Sequence, residues 1–215
     1  MFTGFSPETV DFLWGIRLNN RRDWFQEHKE DYQRYLYAPM KELSREIFAH
    51  FQDVPNLDCK LSRIYKDARM HPAVPYKESL WLSMRPAELP WSEQPTLYFE
   101  IVPEGYRYGF VLWSPKKEAM EGYRRLLAER PEEFPALVSR MEKASGISFY
   151  GDEYYRKKPC PDPAVAPYYN LKNLQFIQSG EPGELMFSSE LAKTVTDTLK
   201  ALYPFYEYCL QFTAP

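Results

Sequence analysis

The stretch PTLYFEIVPEGYRYGFVLWS, residues 95–114, alternates large apolar and polar side chains on both sides of a Pro-Glu-Gly break. A period of two, rich in aromatic and β-branched residues, is the pattern of a strand with one buried face. Glu104 and Gly105 supply a turn, so the stretch reads as an antiparallel hairpin. In its first arm Leu97, Phe99 and Ile101 face one way, and Tyr98, Glu100 and Val102 the other. Upstream, KLSRIYKD (60–67) and ESLWLSMRP (78–86) carry the same period and extend the hairpin into a sheet.

Helical spacing takes over on either side. Ser6 as cap and Pro7 in the first turn open a helix carrying Val10, Leu13 and Ile16. Residues 19–52 read as one long helix that starts at Asn20 as cap, with Asp23 three residues on, and is kinked or restarted at Pro39. After the hairpin, Ser114 as cap and Pro115 start a helix carrying Met120, Tyr123, Leu126 and Leu127. A further helix carries Phe134, Leu137, Val138 and Met141 and stops at Gly146. The Pro- and Tyr-rich segment 148–172 reads as irregular packed chain, followed by a strand over 173–179 and a helix from 188 that continues past Pro204. Helices, then strands, then helices, without βαβ alternation, predict an α+β fold. Its antiparallel β-sheet is formed mainly by the middle of the chain and packed by N-terminal and C-terminal helices, in a single domain over 1–215.

Composition bounds the function. A net charge of −3 and a pI near 5.8 lack the basic excess of a duplex-binding domain, so nucleic acid is a disfavoured partner, even for the stacking and basic segment YYRKKP (154–159). Cys59, Cys160 and Cys209 are odd in number and have no CxxC spacing, which predicts a reducing, cytoplasmic setting. The start lacks a secretory pattern, and no run of about 18 apolar residues suggests a membrane partner. No HExxH spacing or Gly-rich phosphate loop occurs, so neither a metal nor a cofactor is expected.

The charged stretch RIYKDARMHPAVPYKES (63–79) carries the functional expectation. Strand alternation places Arg63, Tyr65, Asp67 and Arg69 on one face, with Lys77 returning on the next strand. Arginine holds a planar carboxylate or phosphate with two parallel hydrogen bonds, and lysine adds a point charge. The expectation is therefore a pocket for a small anionic ligand. Arg63, Arg69 and Lys77 would bind it, Asp67 would orient an arginine, Tyr76 would donate a hydroxyl, and Asn19 would reach in from the helix before it. Asp67 and Glu100 are the catalytic candidates if the ligand is turned over. The plain alternatives are a solvated sheet face for the cluster and a cross-strand ion pair for Glu100. A different class of function, a protein-interaction module, would use the Tyr- and Pro-rich surface around 154–169.

Taken in order, GF at Gly4 and Phe5, NNRRDWF (19–25), RIYKDAR (63–69), PYK (75–77) and PYYNLKNLQF (167–176) resemble the blocks of the family called domain of unknown function 2461. The resemblance spans nearly the whole chain. It marks Asn19, Asn20, Trp24, Phe25, Arg63, Asp67, Arg69, Tyr76 and Lys77, and implies a shared fold and site without naming a reaction. The chain departs from the pattern at Lys66, Met70 and Pro72 to Val74.

Overall fold

The computed structural model describes residues 1–67, 69–71, 73–87 and 90–213. Helices α1 (Pro7–Leu18), α2 (Arg22–Glu27) and α3 (Lys29–Asp31) run into a π-helical turn at Tyr32–Tyr37 and then α4 (Ala38–Phe48). Strands β1 (Leu57–Leu61), β2 (Leu80–Pro86), β3 (Thr96–Val102) and β4 (Gly105–Leu112) follow. The chain continues through α5 (Lys117–Glu129), α6 (Glu133–Ser145), β5 (Phe149–Tyr150), α7 (Ala166–Tyr169), β6 (Leu174–Gly180) and α8 (Glu190–Thr213). The strands form one six-stranded antiparallel sheet in the order β1-β2-β3-β4-β6-β5, the α+β arrangement that the alternation predicts.

The hairpin follows its sequence pattern closely. Leu80, Leu82 and Met84 of β2 and Leu97, Phe99 and Ile101 of β3 are fully buried, so the apolar parity is the core face. Gly105 (φ +137°) and Gly109 (φ +141°) are required, because a Cβ there would overlap the backbone carbonyls of Gly180 and Phe176 respectively.

Three expectations are corrected. The strand over 60–67 ends at Leu61. Beyond it the chain keeps only a narrow ladder, with Lys77 N–H donating to the Ile64 carbonyl (2.7 Å) and Lys66 N–H to that of Pro75 (2.8 Å). Pro75 has no N–H to extend this pairing, and Asp67 folds the chain back: its carbonyl accepts from Met70 (3.0 Å) and His71 (2.9 Å). The helix after the hairpin begins at Lys117 rather than at Ser114, whose N–H instead bonds the Ser92 carbonyl at 2.6 Å.

The long N-terminal helix is also broken, in a way that Pro39 explains. An α-helix needs the residue 39 N–H for the Tyr35 carbonyl, and proline has none. The chain answers with a π turn just upstream, and the freed Tyr35 carbonyl accepts from the fully buried Thr9 Oγ1 of α1 at 2.6 Å.

By contact density the chain forms two compact units, Met1–Met84, Tyr98–Tyr108 and Ser179–Thr196 in the first, and Arg85–Leu97, Gly109–Gln178 and Asp197–Pro215 in the second. The first packs Phe2, Phe5 and Phe99 with the apolar stripes of α1 (Phe12, Leu13, Ile16) and α4 (Met40, Leu43, Ile47). The second is built on an aromatic cluster of Phe110, Phe134, Phe149, Phe176 and Phe205, with ring centroids 4.9–5.8 Å apart across its contacts. Among the described residues, no helix is long and apolar enough to cross a membrane.

Thr9→Val removes a donor that meets the Tyr35 carbonyl while keeping the side-chain shape. It should lower unfolding free energy by about 1–3 kcal/mol in denaturant titration, the usual effect of orphaning a buried polar group. The loss should shrink in a Pro39→Ala background, where residue 39 regains its N–H.

Candidate functional site

The PYK segment enters β2 under the control of a single side chain. The Asn20 carboxamide accepts from the Tyr76 N–H and donates to the Tyr76 carbonyl, both at 3.0 Å. It therefore pairs with this segment as a neighbouring strand would. Asn20 is not the expected cap: Arg21 precedes α2, and no side chain caps that end. With its backbone held, Tyr76 turns into the core, 2% exposed, stacked on the fully buried Phe25 with ring centroids 4.2 Å apart and joined by Tyr65 at 5.4 Å.

Lys77 follows Tyr76 in this extended segment and sets its ammonium 5.7 Å from the Trp81 ring centroid. Burial first, and then the nearby Arg63 guanidinium, push the Lys77 pKa below the ordinary lysine value, with Glu100 pulling the other way. Arg63 and Glu100 thus both stand within electrostatic reach of Lys77. Glu100 is held by Arg107 of β4 at 2.9 Å, the cross-strand pair expected of its face. Tyr98 flanks it, and burial raises its phenol pKa. By strand parity Trp81 and Ser83 share the polar side of β2. The Ser83 Oγ is buried with no hydrogen-bond partner among the described residues.

The other expected residues engage partners of their own. Asp67 accepts from the Arg69 N–H (3.0 Å), Nε (3.0 Å) and Nη2 (2.7 Å), so the two close on each other in the turn. Arg69 is 88% exposed, and its hydrogen bonds hold the Asp67 carboxyl below the usual range. Asn19 caps the end of α1, its Nδ2 donating to the Gly15 carbonyl at 3.1 Å. Arg17 of α1 fastens the edge of this region. It bonds Glu78 through Nε at 2.8 Å and also pairs with Glu104 in the β3–β4 turn, whose carboxyl it holds below the usual range.

Trp81, Ser83, Tyr98 and Arg107 were not singled out from the sequence. Their signal was the polar parity of ESLWLSMRP and of the hairpin, the same pattern that located Glu100.

Two variants separate architecture from surface charge. Asn20→Ala leaves the Tyr76 N–H and carbonyl without their partner, and should destabilise the chain by about 1–3 kcal/mol per group in denaturant melts. Arg69→Ala should leave the melting temperature unchanged near neutral pH. Because the Asp67 pKa is depressed, whatever stability the pair adds is present above the unfolded carboxyl's pKa and lost as pH falls through the folded value. Any difference between wild type and Arg69→Ala should therefore vanish in acid.

A comparison with curated proteins returns no match. The family described as conserved hypothetical protein (DUF2461) matches residues 8–208 of the 215, and the chain belongs to that family.

Proposed function

We propose that the Arg63–Lys77 face binds a small phosphorylated or carboxylated ligand. One observation carries this reading: among the described residues, neither Arg63 nor Lys77 forms an ion pair, although the chain as a whole is acidic. Other carboxylates of this region are already engaged: Asp67 by Arg69, Glu100 by Arg107, and Glu78 and Glu104 by Arg17. Two cations close enough for one to depress the other's pKa hold each other unfavourably until an anion joins them.

The reading is one of binding first. Turnover would draw on Glu100, which Arg107 already orients beside the cations. An interaction module is favoured instead by Tyr155, fully exposed in the Pro-rich segment; co-purifying protein lost in Tyr155→Ala would support it.

Thermal denaturation with phosphate, pyrophosphate, citrate and nucleotides tests the reading. A ligand at about a hundred times its Kd stabilises the folded chain by about 2.7 kcal/mol. The shift should be lost in Arg63→Ala and Lys77→Ala and kept in Arg69→Ala. A wild-type melting temperature unmoved by the whole panel overturns the proposal.

The affinity should also depend on pH in a set direction. The folded Lys77 pKa lies below the unfolded one, so the free protein gains stability as pH rises between the two, and the bound anion loses its cation over that same interval. Binding measured by calorimetry should weaken as pH rises, beginning below the pH at which an ordinary lysine titrates. Lys77→Arg should flatten that dependence.

A further inference from the structure

The second compact unit holds a groove that the anion-binding reading does not use. A cavity of about 330 Å³ is lined by Trp113, Ser114, Asp152, Tyr154, Lys172 and Asn173, among others. Its size sits at the lower end of the range of about 300–1,000 Å³ typical of small-molecule sites. Trp113 follows the last residue of β4 and is 51% exposed, which leaves much of its indole open at the groove.

The polar groups of the groove are fixed before any ligand arrives. Asp152 N–H donates to Asn173 Oδ1 at 2.8 Å, and Asn173 Nδ2 returns a hydrogen bond to Asp152 Oδ2 at 2.8 Å. Tyr150 Oη donates to Asp152 Oδ1 at 2.5 Å, and Lys172 Nζ stands 3.8 Å from Oδ2. Each carboxylate oxygen keeps accepting capacity, and the Asn173 amide keeps a second N–H. The Tyr154 ring is set in turn: the Arg124 guanidinium lies 5.2 Å from its centroid, and that guanidinium is bonded to the carbonyls of Tyr169 (3.2 Å) and Met120 (3.3 Å).

The geometry points to a binding site for a neutral saccharide, with the apolar face of a sugar ring on Trp113 and vicinal hydroxyls on Asp152 and Asn173. A pyranose offers one flat C–H face and an edge of paired donors and acceptors, and the groove offers an aromatic plane and a carboxylate–carboxamide pair held in register. The Lys172 ammonium is balanced by Asp152, so the groove has no surplus cation to select an anion. A polyproline segment is less well served. Grooves for such segments are aromatic-lined, whereas Ser114, Asp152, Lys172 and Asn173 give this one hydroxyl, carboxylate, ammonium and carboxamide groups. Preorganised partners of this kind lower the ordering cost of binding.

The experiment titrates the full chain with glucose, galactose, mannose, N-acetylglucosamine and cellobiose. It follows tryptophan fluorescence and saturation-transfer NMR of the sugar. At least one sugar should bind, Asp152→Asn should weaken it about tenfold, Trp113→Ala should abolish both signals, and Trp14→Phe should behave as wild type. Trp113→Ala should retain the wild-type melting temperature, which separates lost binding from lost folding; Trp113→Phe, which keeps an aromatic plane, should retain part of the binding. The inference is overturned if no sugar in the panel moves either signal, if binding survives Trp113→Ala, or if a proline-rich peptide titrates Trp113 while the sugars do not.

Discussion

The pairing of the Asn20 carboxamide with the Tyr76 backbone sets where the charged side chains of this protein go. A carboxamide carries a donor and an acceptor at nearly the spacing of a peptide group, so one side chain can stand in for a strand edge. Once that backbone is fixed, neighbouring side chains diverge, Tyr76 to the core and Lys77 toward Trp81. The second unit repeats the device, where Asn170 accepts from the Lys158 N–H (2.8 Å) and donates to its carbonyl (3.1 Å), pinning a segment with little regular structure. The asparagines of NNRRDWF and PYYNLK are thus accounted for by architecture, without invoking chemistry.

The α+β fold was legible because its strands obey alternation and its helices carry apolar stripes. Leu97, Phe99 and Ile101 read as core and are core. What escaped reading were effects that turn on one atom. Pro39 signals a break, but nothing local says that Thr9 will supply the missing donor or that the break takes the form of a π turn. Strand periodicity was extended through Asp67 because charge gives no warning of a turn. There an aspartate that bonds the backbone two residues on reverses the chain. That reversal is why Arg69 faces Asp67 in solvent while Arg63 and Lys77 come near each other.

The charges follow a simple rule of distribution. Several cations of the first unit pair with a carboxylate close in sequence or across a strand, and such exposed pairs contribute little to stability. The informative positions are those the pairing passes over. Among the described cations that form no ion pair, Arg63 and Lys77 are near enough for the charge of one to act on the other. A diffusing anion would meet attraction only locally, which favours small ligands over polyanions that must lie along a broad surface.

The π turn at Tyr32–Tyr37 governs phase as well as hydrogen bonding. Its bonds close on the fifth residue rather than the fourth, so the wide turn takes up one residue more than α winding does, and the helix after it keeps the phase, at about 100° per residue, that it would have without the extra residue. The stripe of Met40, Leu43 and Ile47, all fully buried, therefore stays on the core side with the extra residue in place. The outward-facing Gln33 and Arg34 can vary in chemistry without disturbing that stripe. The turn works as a splice: it lets the chain carry a residue beyond the helical count, at the place where Pro39 has already removed a hydrogen bond, without turning the helix that follows.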